Sequence, residues 1–357
     1  MRWYSAALTA LTLAGTCAAQ TPGQVPAAMY HQKKYVMGTV FEVVVYDTSE
    51  EHARAAMEKA LQEVVRLDQV MSNYKADSEL SVLNREGHYQ ARKVSPDLYR
   101  VIEESLEYSK RTDGKFDISV GPLVDRWKGV MNGKPAPTAE EEAELRKCVG
   151  YQKIELIPPD QIEFRSSCLR IDLGAIGKGY AVDRAVEILR ASGIENALID
   201  AGGSTLFGMG APPGEAGWLV HLRDPSKKVD PLAVLHENSA STSEQTAPSM
   251  LEKEPAGHII DPGAGTPART RYALSVVART ATQTDGLSTS LLLLGPEKGR
   301  ALVMDTPESA AIWILPDGSS ETAVHGAKIQ MKDSGKNCAD GKAAEFEGCN
   351  AEQAKGN

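Results

Sequence analysis

The sequence predicts an α+β fold in one large domain, and three observations lead there. Short stretches alternate apolar and polar residues, the period of a half-buried strand. Longer stretches place apolar residues three and four apart, the period of an amphipathic helix. No internal repeat and no linker divides them, so one layered core is the simplest arrangement.

The elements follow in order. Residues 1–19 carry one positive charge, a short apolar run and small residues, which reads as a secretory signal peptide. The run is too short for a membrane span. The expectation is export to a bacterial periplasm; a lipid anchor on Cys17 is the alternative, and Thr16 fits that signal poorly. Residues 20–33 read as a linker, and 34–330 as the domain. "YVMGTVFEVVVYD" alternates as one strand. The helix that follows turns Ala53, Met57, Ala60, Leu61, Val64 and Leu67 to one side. The next helix starts at Ser95 with Pro96 in its first turn and ends at Gly114. Thr138 and Glu141 form a capping box for a third. A hairpin, "YQKIELIPPDQIEFRSS", comes next, then the strand "CLRIDLG" and a helix from Gly177 to Gly193. Strands are read at "ENALIDAGG", "GWLVHLRDP", "RYALSVVAR" and "AAIWILPDGSS"; 224–257 reads as irregular. In "TDGLSTSLLLLG", Asp285 and Thr289 open a helix that stops at Gly295-Pro296. Residues 331–357 read as a flexible tail.

The 357 residues carry a net charge of -9, and no Lys/Arg cluster marks a nucleic-acid binder. Beyond Cys17, four cysteines remain, an even number that an oxidising compartment would pair. Cys148 and Cys168 flank the hairpin, so they are expected to bond, as are Cys338 and Cys349. Their spacings do not resemble a zinc site.

Several stretches could carry chemistry. "RIDLGAIGKGYAVDRA" is a glycine-rich turn into a helix start, where backbone N–H groups favour an anion. It has neither the P-loop nor the dinucleotide glycine spacing. "IDAGGSTLFGMG" and "HIIDPGAGTPA" add glycine turns, the latter with His258. Tyr74 is placed to stack on a flat ring. The theme is Asp, Thr, carbonyls and glycine turns, which suits magnesium and phosphate better than zinc or a thiol.

Six motifs stand in one order: "MGTVFEV", "MSNYKADSELSVLN", "TDGKFDISVGPL", "IDLGAIGKGYAVD", "HIIDPGAGTP" and "TDGLSTSLLLLG". Together they resemble the FAD:protein FMN transferases, the ApbE family, over residues 34–325. The resemblance implies a T-fold-like domain of mixed, mostly antiparallel sheet with packed helices. It implies an extracytoplasmic, magnesium-dependent enzyme that moves FMN from FAD onto a Thr or Ser hydroxyl of a partner protein and releases AMP. The acceptor it implies is a respiratory electron-transfer subunit. By position, Met37, Tyr74, Lys115, Phe116, Asp117, Asp172, Lys178 and Ile259 would contact FAD. Ala175, through its carbonyl, Asp285 and Thr289 would hold Mg2+, and His258 is the candidate base. Two positions depart from the family: Glu244 stands where glycine is usual, which could alter a loop over the flavin, and Gly286 where alanine is commoner. The competing readings are an FAD pyrophosphatase with the same ligands and a non-enzymatic flavin carrier.

Overall fold

The structure, a computed structural model, describes residues 26–245 and 258–332. The signal segment, Cys17 and the Cys338–Cys349 pair lie outside them. The described chain opens with a hairpin. Strand β1 (Ala28–Val36) pairs antiparallel with β2 (Thr39–Asp47) through a two-residue turn. Both turn residues, Met37 and Gly38, have positive φ (52° and 74°), the conformation of a tight hairpin turn. This corrects two expectations: 35–47 is not one strand, and the linker does not reach residue 33. Strand β1 lies at a sheet edge and is mostly exposed, so its sequence carries no apolar alternation.

Helices α1 (Glu50–Met71), α2 (Glu79–Glu86), α3 (Pro96–Arg111), α4 (Gly121–Met131) and α5 (Ala139–Cys148) follow, with the short strand β3 (Arg92–Lys93) before α3. The caps expected at Ser95 and Thr138 form. Helix α4 has no capping side chain at Val120 and begins Gly-Pro, which hid it from sequence reading. A 3-10 turn (Tyr151–Lys153) leads to the hairpin β4 (Ile154–Ile157) and β5 (Gln161–Phe164). Cys148 and Cys168 are bonded across its base (S–S 2.05 Å), as expected. "CLRIDLG" is not a regular strand. It runs beside 118–121 instead, where Gly121 donates to the Arg170 carbonyl and Asp172 to that of Ile118.

Then come α6 (Gly177–Ala191), β6 (Asn196–Ala201), β7 (Thr205–Met209), β8 (Trp218–His221), β9 (Asp230–Leu235) and β10 (Asn238–Glu244). The segment expected to be irregular therefore holds two strands. The two-residue strands β11 (Ile260–Asp261) and β12 (Thr266–Pro267) precede β13 (Ala273–Ala278), α7 (Ala281–Met304), β14 (Ser309–Ile314) and β15 (Ser320–His325). The last, β16 (Gln330–Lys332), pairs with β9, so the tail begins later than 331.

Eight strands form the main sheet in the order β1-β2-β6-β7-β10-β13-β14-β15. Every neighbouring pair is antiparallel, so this sheet is not mixed. Helices α1, α6 and α7 cover one face; the sheet β16-β9-β8 packs Trp218, Val220 and Leu235 onto the other. That two-sided cover explains why β13 and β14 are buried at every position and read as continuous apolar runs.

Helices α6 and α7 cap each other. Asp183 of α6 accepts from the Ala281 and Thr282 amides (2.8 Å each) and from Thr282 Oγ1 (2.6 Å). In return, Asp285 Oδ2 of α7 accepts from the Gly179 amide at 2.7 Å, in the first turn of α6, where Ile176 gives no side-chain cap. The N-cap of α7 is Thr280, so Asp285 and Thr289 do not open that helix; Asp285 caps its neighbour. Nor does α7 stop at Gly295-Pro296. It kinks there, with Gly295 at φ 74°, and continues to Met304.

The crossing is close. A Cβ on Gly179 would lie 2.2 Å from the Ala281 carbonyl oxygen, so Gly179→Ala should lower the unfolding free energy by about 1–3 kcal/mol or more, read from urea denaturation. Burial pushes the Asp183 carboxyl up to about 6 from 3.8. The native state therefore keeps a proton that the unfolded chain releases between these values. That contribution is complete below 3.8 and lost as pH rises through 6. Relative to Asp183→Asn, the wild-type urea midpoint should rise as pH falls from 7 to 4.

Candidate functional site

Beside this crossing lies a cavity of about 770 Å³. Its walls come from elements far apart in sequence. The β1–β2 turn supplies Met37. The coil after α1 supplies Tyr74, and the segment before α4 supplies Lys115 to Ile118. The glycine turn into α6 brings Asp172, Ala175 and Lys178. The end of β10, the His258–Ile260 segment and the second and third turns of α7 complete it.

At its floor, Asp285 is only 4% exposed. Its Oδ1 accepts from Thr205 Oγ1 (2.5 Å) and Ser241 Oγ (2.8 Å), and its Oδ2 from the Gly179 amide. A buried carboxylate persists only when so supplied with donors. Thr289, one turn on, lines the same cavity and has no hydrogen-bond partner among the described residues. With the Ala175 segment lining the same cavity, these residues offer oxygen donors, the chemistry of a hard cation such as Mg2+. Among the described residues no group of three His, Cys, Asp or Glu side chains gathers as a soft-metal site would require.

Positive charge also lines the cavity, from Lys178 and Lys128. Lys128 of α4 lies 4.8 Å from the Tyr74 ring centroid and donates to its hydroxyl at 2.5 Å. Tyr74 is 81% exposed and stands at the rim. His258 opens on the cavity, and the protein around it, with the Lys178 and Lys128 ammonium groups, holds its imidazole below the ordinary 6.5. It is thus a neutral base at pH 7.

The ApbE family profile matches residues 37–313. The chain belongs to the ApbE family. Relatives include the FAD:protein FMN transferase of Treponema pallidum, 29% identical over 83% of this chain and 87% of that protein. That of Klebsiella pneumoniae is 28% identical over 88% and 93%. Among solved structures, the flavin transferase ApbE of Vibrio cholerae superposes with a TM-score of 0.74 at 26% identity, over 84% of this chain and 99% of that one.

All twelve residues singled out from sequence line this ApbE-family cavity: Met37, Tyr74, Lys115, Phe116, Asp117, Asp172, Ala175, Lys178, His258, Ile259, Asp285 and Thr289. Their surroundings differ. The Phe116 ring is buried against Tyr108, and its amide donates to Thr112 Oγ1 at 2.9 Å. The Asp117 carboxylate accepts from the Ser119 and Tyr151 amides, so it braces the loop, and burial raises its pKa. Lys115 pairs with Asp261 at 2.9 Å. Glu244 ends β10 rather than sitting in a loop, and pairs with Arg223 at 2.6 Å on the cavity wall. Sequence reading missed Lys128, Arg223, Thr205 and Ser241. Lys128 sits in the unrecognised helix α4. Thr205 opens the otherwise apolar strand β7, and Ser241 belongs to β10, a strand of small and polar side chains.

Proposed function

We propose that this chain is a magnesium-dependent FAD:protein FMN transferase, acting outside the cytoplasm on a Thr or Ser hydroxyl of a partner protein and releasing AMP. The observation that carries the reading is the convergence of the twelve family-motif residues on one cavity. The names of the relatives support the activity. The Cys148–Cys168 bond supports an oxidising compartment. A membrane-linked respiratory electron-transfer subunit is the acceptor proposed.

Both charge signs line the cavity. Lys178 and Lys128 would hold the FAD diphosphate, and Tyr74 at the rim would stack on a ring of the dinucleotide. Ala175, Asp285 and Thr289 would hold the cation, which when bound neutralises the diphosphate and stabilises departing AMP. His258 would accept the acceptor's hydroxyl proton as that oxygen attacks the flavin-side phosphorus. One P–O bond forms to the acceptor, and the P–O bond to AMP breaks. Burial, with the lysines around it, lowers the His258 pKa and favours the neutral imidazole that would take the proton.

Incubation with FAD, Mg2+ and a Thr-bearing acceptor should add FMN to the acceptor by intact mass. FMN appearing free at the same rate whatever the acceptor would identify a pyrophosphatase instead. Asp285→Ala should reduce transfer by at least ~10²-fold. The acidic limb of kcat/KM should fall below pH 6.5 and disappear in His258→Ala, whose rate drops by ~10²–10⁴-fold. Lys178→Gln removes a charge that depresses the imidazole pKa, so it should move the limb towards alkaline pH.

A further inference from the structure

The helix-to-sheet contact behind Asp285 has an unusual composition. Where α7 lies on β7 and β10, the facing side chains are hydroxyls. Ser239 meets Thr284 at 2.9 Å, Ser243 donates to Ser288 at 2.8 Å, and Ser288 donates to the Asp285 carbonyl at 3.0 Å. Thr205 and Ser241 are buried and both address one oxygen of the Asp285 carboxylate, Oδ1. An ionised carboxylate offers about four lone-pair sites. Two hydroxyls occupy both sites of Oδ1, and the Gly179 amide occupies one of Oδ2. One site remains, on Oδ2.

We infer that Thr205 and Ser241 set the metal selectivity of the site by blocking Oδ1, so that Asp285 can offer a cation one oxygen only. The inference rests on the proposed metal role of Asp285. Mg2+ is small, keeps its waters and takes carboxylates through single oxygens in octahedral geometry. Ca2+ takes more ligands at longer distances and readily accepts both oxygens of one carboxylate. A carboxylate with one oxygen already saturated therefore favours Mg2+. Thr205 and Ser241 are positioning residues, acting through Asp285. A merely structural role would alter stability without changing which cation is preferred.

The test is calorimetric titration of the full chain with Mg2+ alone and with Ca2+ alone. Wild type should prefer Mg2+. The double variant Thr205→Val, Ser241→Ala frees Oδ1 and should move the Mg2+/Ca2+ affinity ratio towards Ca2+ by about tenfold or more. Thr205→Ser keeps the hydroxyl and should retain the wild-type ratio. An unchanged ratio in a folded double variant overturns the inference, as does Thr205→Ser moving as far as Thr205→Val. If the double variant does not fold, Ser241→Ala alone should shift the ratio in the same direction, and no shift overturns the inference. Wild type binding neither cation would overturn it together with the metal reading. Wild type binding Mg2+ while failing to transfer FMN would remove the transferase reading and leave the selectivity result standing.

Discussion

Two carboxylates exchanged between two helices hold this molecule's chemistry in place. Asp183 on α6 closes the start of α7, and Asp285 on α7 closes the start of α6. Each helix N-terminus exposes amides that need acceptors and carries partial positive charge. Each finds a carboxylate on the other helix. The exchange demands contact at backbone distance, which Gly179 alone permits at that point. A helix start that would otherwise attract a free anion is thus partly used by the fold. The glycine turn before it, from Asp172 to Lys178, still opens on the cavity.

The rest of the site is arranged around that exchange. Asp285 is buried, so the sheet beneath it supplies hydroxyls where a core would ordinarily supply methyl groups. The residues proposed to hold the cation come from α7 and the turn into α6, where Lys178 also lies; Lys128 and His258 come from α4 and the 258–260 segment. The bonded Cys148–Cys168 pair ties α5 to the segment that becomes the Asp172 wall.

Much of this was legible in the sequence, and the limits have physical causes. Helices α1, α3, α5 and α6 announce themselves by apolar period, caps and terminal glycines. The site residues sit in motifs whose order marks the family. Strand β1 was lost because an exposed edge has no inward face to pattern. Strand β10 was lost because the small hydroxyls of "NSASTSE", one of which bonds the Asp285 carboxylate, imitate a loop. The role of Asp285 was half seen. It caps a helix, but its partner Gly179 is 106 residues away, and no local pattern encodes that distance. The pairing of Lys128 with Tyr74, 54 residues apart, is invisible for the same reason.

The proposed chemistry needs a divalent cation meeting oxygens of residues 175, 285 and 289 beside a bound dinucleotide. Anomalous diffraction from crystals holding FAD and Mn2+ tests it most directly. A manganese peak in coordination contact with Asp285 Oδ2, Thr289 Oγ1 and the Ala175 carbonyl, next to the diphosphate, is the result predicted. Flavin ordered in the cavity with no peak there, or with the peak on other residues, would contradict it.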